Sequence, residues 1–159
     1  MSQEFQQLIA GMSGGQSPFM GRHVHNLDPK KRLTIPSVWR EVVGEAKSLY
    51  LMPGIERPCL MLLPPAVMAQ LMQRMESLQL SNPEEMELML TVASESDHLN
   101  FDAQGRVRVN DEHLAFAGLE SEVILAGALN RIELWNPENW AARKRASSGL
   151  AAAAKSLKV

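Results

Sequence analysis

Residues 25–44, HNLDPKKRLTIPSVWREVVG, lie without a gap on residues 99–118, LNFDAQGRVRVNDEHLAFAG, at an offset of 74. Asp28 falls on Asp102, Arg32 on Arg106, Leu33 on Val107, Ile35 on Val109 and Gly44 on Gly118. The match runs on. Leu49 and Leu51 meet Val123 and Leu125, and after a connection two residues shorter in the second copy, Leu60 and Leu62 meet Ile132 and Leu134. Pro65 then meets Pro137 and Met68 meets Trp140. Agreement of residue class over a unit of about 45 residues reads as an internal repeat rather than chance periodicity.

Each copy has the same local grammar. A strand runs into a turn at Asp28-Pro29-Lys30-Lys31, or at Asp102-Ala103-Gln104-Gly105, where aspartate in first place and proline in second favour a type I turn. Gly105 suits the left-handed residue of a hairpin bulge. The returning strand alternates: Leu33 and Ile35, or Val107 and Val109, face inward, while Arg32 and Thr34, or Arg106 and Arg108, face out. A short helix follows, entered at Pro36 or Asn110 and closed at Gly44 or Gly118. Two more alternating strands complete the copy, Leu49 to Met52 with Cys59 to Leu63, then Val123 to Leu125 with Arg131 to Trp135. A unit this small lacks enough core to stand alone. The copies are therefore expected to pack as one β-rich α+β domain, a pseudo-two-fold β barrel or sandwich closed by pairing between them, which would also protect its edge strands.

Between the copies, Val67, Met68, Leu71, Met72, Met75 and Leu78 keep helical spacing, and a second helix opens at Ser81-Asn82-Pro83-Glu84-Glu85. The Met-rich face reads as core, and as an adaptable surface for self-association. The expected organisation is an N-terminal arm (1–18) with a flexible GMSGGQS tether, a first unit (19–68), a helical connector (69–96), a second unit (97–141) and a basic tail (142–159). That tail, with Arg143, Lys144, Arg145, Lys155 and Lys158, reads either as a frayed helix or as a disordered arm adding phosphate contact.

The 159 residues, 45% of them hydrophobic, allow one compact domain or two small ones. Prolines interrupt the most apolar stretch, so no membrane span is expected, and with no secretory signal the protein is expected in the cytoplasm. Cys59 reads as a buried, inert thiol. The net charge of -2 conceals an asymmetry. From Phe19 to Leu49 there are six cations against three acids, and from Met75 to Asp102 seven acids and no lysine or arginine. No phosphate loop, nucleophile elbow or paired-carboxylate motif appears, so no enzyme, cofactor or small-molecule substrate is expected. The rival is a metal site on His23 and His25, which alternate onto one strand face, but no third ligand stands at a diagnostic spacing.

FMGRHVHNLDPKKRLTIPSVWR in the first half, with LNFDAQGRVRV and RIELWNPENW in the second, resembles the MraZ family of bacterial regulators, built from two AbrB-like, swapped-hairpin repeats. The resemblance spans about residues 19–141. It implies a transcription factor, often a repressor of the division and cell-wall gene cluster containing its own gene, associated with the nucleoid. It also implies a ring-like homo-oligomer that sets hairpin turns against short direct repeats in double-stranded DNA. The family's Asp-x-Lys-Gly-Arg turn falls on Asp28 to Arg32 and again on Asp102 to Arg106. Two residues depart from the pattern. Lys31 stands where glycine is usual, so that turn either holds a lysine in a left-handed conformation or changes shape, and Asn110 replaces a common proline. AbrB-like units also occur in antitoxins, which leaves a protein-interaction module as an alternative.

A hairpin entering the major groove can present an arginine to O6 and N7 of guanine, worth about 1–3 kcal/mol of discrimination. Arg32 and Arg106 are the candidates for that role. Lys30, Lys31, Arg22 and Arg108 suit phosphate contacts, and Gln104 lies on the same turn. Asp28, Asp102 and Gly105 are expected to shape the turns, since a carboxylate near phosphate is repelled.

Overall fold

In the computed structural model, residues 18–147 and 149–157 are described. The arm expected over 1–18 lies outside them except for Pro18, as do Lys158 and Val159 of the tail. In chain order the elements are β1 (Arg22–Asn26), β2 (Arg32–Thr34), α1 (Ser37–Val43), β3 (Ser48–Pro53), β4 (Cys59–Leu63), α2 (Pro65–Met75) and α3 (Pro83–Glu95). There follow β5 (Asp97–Asn100), β6 (Arg106–Arg108), α4 (Asp111–Ala117), β7 (Glu122–Gly127), β8 (Ile132–Trp135), α5 (Pro137–Ala146) and α6 (Leu150–Ser156). None of the described helices is long and apolar enough to cross a membrane.

Local chemistry explains the short helices. Glycine closes both, at φ 73° in Gly44 and at φ 65° in Gly118, in the left-handed half of backbone space that glycine enters without a Cβ penalty. Asn110, the residue at which the second helix is expected to open, caps α4 by accepting from the His113 N–H at 2.8 Å.

The strands pair across the two halves of the chain. Six form an antiparallel sheet in the order β1-β7-β8-β4-β3-β5, and β2 pairs with β6 in a separate two-stranded ribbon. The registers obey the 74-residue offset: His25 pairs with Val123 and Leu49 with Leu99. In the ribbon Leu33 lies opposite Val107, with Arg32 opposite Arg108 and Thr34 opposite Arg106. The strands on either side of each turn part company and pair across the halves, β1 with β7 and β2 with β6. One expectation needs correction: the sheet is not a closed barrel, because β1 and β5 end it, each with a single neighbour. The ribbon closes the fold instead as a second layer. It brings Leu33, Ile35, Val107 and Val109 against one face of the sheet, together with Trp39 of α1 and Leu114 of α4, all at most 5% exposed.

The opposite face carries a second core. Met52, Met61 and Leu63 pack there beneath Val67, Met68, Leu71 and Met75 of α2 and Leu88 and Val92 of α3. Part of the Met-rich helical face is therefore core, while Met72, Met86 and Leu90 are about half exposed. Farther along that face Trp135 and Ile124 meet Trp140 of α5. The tail's described part is helical, with Arg143, Lys144 and Arg145 in the last turn of α5, where cations favour the helix dipole.

Candidate nucleic-acid interface

The two Asp-x-x-x-Arg turns adopt one geometry. Asp28 Oδ1 accepts from the backbone N–H groups of Lys30 (2.9 Å) and Arg32 (2.8 Å), and its Oδ2 accepts from Arg32 Nε at 2.7 Å. Asp102 does the same with Gln104 (2.9 Å), Arg106 (2.9 Å) and Arg106 Nε (2.7 Å). An aspartate suits this position because its carboxylate reaches backbone donors two and four residues on while holding the arginine that ends the turn. The fourth residue is left-handed in both turns. Gly105 has φ 76°, and Lys31 accepts φ 64° without changing the turn. Of the two outcomes open for this departure from the family pattern, the structure takes the strained lysine.

Pairing between the halves joins the turns. Ile35 N–H donates to Gly105 C=O and Val109 N–H to Lys31 C=O, each at 3.0 Å, so each turn caps the ribbon strand of the other half. Arg32 Nη1 then lies 4.0 Å from Asp102 Oδ2, and Arg106 Nη1 lies 3.8 Å from Asp28 Oδ2. The result is an alternating Asp-Arg quartet on the outer face of the ribbon, which offsets the repulsion of arginines gathered on so few residues. Both carboxyls sit below the usual aspartate range. At Asp28 desolvation pushes upward, but hydrogen bonds from the Arg32 backbone and side chain outweigh it. At Asp102 the Arg106 backbone hydrogen bond dominates. Each arginine hydrogen-bonds its own aspartate through Nε, its Nη1 reaches the opposite aspartate only at ion-pair distance, and with four Nη–H groups on each guanidinium, donors remain for a further acceptor.

Among the remaining expected contacts, Arg108 stands exposed opposite Arg32, and Lys30 and Lys31 are exposed on the first turn. Gln104 is exposed on the second turn and accepts from Arg106 Nη2 at 3.1 Å. Arg22 is not brought to them. It lies on the sheet face away from the ribbon, its Cζ 5.7 Å from the centre of the Trp140 ring. His23 and His25 stack at 6.4 Å, and His23 meets Trp39 edge-on at 4.8 Å, a packing role on the core side of β1. Burial, then the neighbouring His23, lowers the His25 pKa. Among the described residues no group of three or more histidine, cysteine or acidic side chains could hold a metal ion.

Sequence reasoning missed two features. Glu133, 4% exposed, is held by Arg57 (3.0 and 3.1 Å), by Arg131 Nε (3.0 Å) and by Trp135 Nε1 (3.0 Å). Arg57 is 76 residues away in the chain, so nothing local announces the pair. Arg40 of α1, read from the sequence only as one of the six cations between Phe19 and Leu49, lies against Gly105 of the second turn.

The family model described as "MraZ protein, putative antitoxin-like" matches residues 92–157. Curated relatives match a longer stretch. "Transcriptional regulator MraZ" of Thermomicrobium roseum is 40% identical over 126 residues, 79% of this chain and 86% of that protein. The proteins of the same name from Corynebacterium jeikeium and Saccharopolyspora erythraea are each 33% identical over 77% of this chain, covering 84% and 83% of their own lengths. With identity at this level across more than three quarters of its length, the chain belongs to the MraZ family.

Proposed function

We propose that this protein is a sequence-specific DNA-binding transcriptional regulator that meets double-stranded DNA with the outer face of the β2–β6 ribbon. The observation that carries the reading is the gathering of Arg32, Arg106, Arg108, Lys30 and Lys31 on that face and its turns, where Asp28 and Asp102 pair with Arg32 and Arg106. On this reading the chain is two AbrB-like units, residues 19–68 and 97–141, with strands exchanged about a pseudo-two-fold axis. The Nη donors of Arg32 and Arg106 reach guanine in the major groove, the lysines and Arg108 hold phosphates, Gln104 supports the second turn, and the aspartates orient the arginines. The name shared by the relatives supports a role in transcription. The finer picture is a repressor of the division and cell-wall gene cluster including its own gene, acting in the cytoplasm at the nucleoid on short direct repeats.

One ribbon offers few phosphate contacts, so tight binding requires several subunits on adjacent repeats, a ring-like oligomer in this reading. The open edges of β1 and β5 and the exposed Met72, Met86 and Leu90 support self-association. The family description "antitoxin-like" favours a second reading, in which the units bind a protein partner.

The test is binding to the duplex upstream of its own gene and to a scrambled duplex, across salt, for wild type and the Arg32→Ala/Arg106→Ala double variant. Preference for the upstream duplex that disappears in the double variant is the expected result. Equal binding of both duplexes by the wild type, or none, would overturn sequence reading and turn attention to the protein-partner alternative.

A further inference from the structure

The two turns are not charged alike. At the offset of 74, Lys30 and Lys31 of the first turn become Gln104 and Gly105 in the second, so the second turn has neither cation. The structure supplies two others. Arg40, in the last turn of α1, lies against Gly105 so closely that a Cβ there would fall 2.5 Å from its Cδ and 2.6 Å from its Cζ. Lys47 accepts the Phe101 N–H through its carbonyl at 2.9 Å, which fixes it beside the same turn, and its side chain is exposed. The offset turns Arg40 into Leu114 and Lys47 into Ser121, and Ser121 C=O accepts the Leu27 N–H at 2.8 Å beside the first turn. Each turn therefore has two cations besides the arginine that ends it. The first has them within its own loop, and the second receives them from the helix end of the other half.

Arg40, Lys47, Phe101, Asp102 and Gly105 border a cavity of about 430 Å3, and Arg40 Nε is buried there without a hydrogen-bond partner among the described residues. Asp102, the acid on this wall, is already engaged by Arg106 at 2.7 Å. We propose that this recess is a phosphate-binding site in which Arg40 and Lys47 hold a backbone phosphate of bound DNA at the second turn, as Lys30 and Lys31 do at the first. The inference rests on the DNA-binding reading above and adds residues to it. It also gives Gly105 a second reason to be glycine: the guanidinium occupies the space a side chain would need.

The test is the salt dependence of binding to the upstream and scrambled duplexes for wild type, Arg40→Gln, Arg40→Lys and Lys47→Gln, with inorganic phosphate against chloride as a second arm read by thermal shift. Losing one phosphate contact lowers the slope of log K against log salt by about 0.9 for each subunit engaged. Arg40→Gln is expected to show that loss on both duplexes equally, Arg40→Lys to restore most of it, and Lys47→Gln, at an exposed site, to reproduce it if Arg40→Gln does not fold. Wild-type slopes in Arg40→Gln and Lys47→Gln would overturn the proposal. So would phosphate stabilisation that needs Arg40 while the slopes stay unchanged, since the site would then take a free phosphate. A wild type that binds neither duplex defeats the DNA reading and the DNA source together. In that case phosphate stabilisation dependent on Arg40 would uphold the anion site, and its absence would end it.

Discussion

Replacing Lys31 by glycine is expected to stabilise the protein while weakening its hold on DNA. Lys31 sits at φ 64° in a turn whose counterpart has Gly105 at φ 76°. A left-handed backbone costs an ordinary L-residue roughly 1–2 kcal/mol. Glycine relieves that strain but frees the unfolded chain, which takes back about 0.4–1 kcal/mol. The net gain is about 0.5–1 kcal/mol, or a rise in Tm of roughly 1–4 °C for a chain of this size. The hydrogen bonds of the turn survive, because Lys31 contributes only its N–H, to Asp28 C=O, and its C=O, to Val109 N–H. Lys31→Ala is the control: it removes the same cation and keeps the strain, so its stability should match the wild type. Urea or thermal unfolding of the three proteins measures the difference. In duplex titrations across salt, both variants should lose the same increment of slope, about 0.9 per engaged subunit. If Lys31→Gly proves no more stable than Lys31→Ala, the turn carries no left-handed strain and the account of it is wrong.

Three further expectations follow from the packing. Glu133→Gln leaves Arg57 and Arg131 facing a neutral amide, and should cost roughly 2–4 kcal/mol, below the full value for a buried pair because both arginines are partly exposed; denaturant titration reads it. Desolvation raises the Glu133 pKa, but Arg131 and Arg57 bring it below its ordinary value. Its contribution, like those of Asp28 and Asp102, is thus complete above the usual carboxylate range and is lost as pH falls through the depressed folded-state values; a Glu133→Gln variant should show a shallower acid limb. Cys59 is fully buried, and burial, with Glu133 next in effect, pushes its thiol up to about 12, so native protein at pH 8 should resist alkylation until it unfolds. Asn136 accepts from the N–H groups of Glu138 and Asn139 at 2.7 and 3.1 Å, capping α5, and donates to Gly118 C=O at 2.8 Å. Asn136→Ala should cost about 1–2 kcal/mol in unfolding experiments, and an unchanged midpoint would remove the cap from the account.

What was legible in the chain was local. The aspartate, the left-handed residue and the arginine of each turn lie within four residues of one another, so their chemistry shows in the order of residues alone. The same holds for the helix ends at Gly44 and Gly118 and for the alternation of Leu33 and Ile35 with Arg32 and Thr34. The offset of 74 showed the same pattern twice, and the pattern itself carried the family resemblance.

Strand exchange was legible only through the family resemblance, which implied swapped hairpins; by itself a strand, a turn and a returning strand suit a simple hairpin, because pairing with the nearest neighbour is the local default. Only a shared core makes the other choice: β1 goes to β7 and β2 to β6 because the inward faces of both halves are buried together between ribbon and sheet. The Asp-Arg quartet and Arg40 against Gly105 follow from that exchange, and the Arg57–Glu133 pair from the pairing of β4 with β8. Each joins residues at least 65 positions apart, and charges so distant in sequence meet only after the tertiary structure has set their backbones side by side.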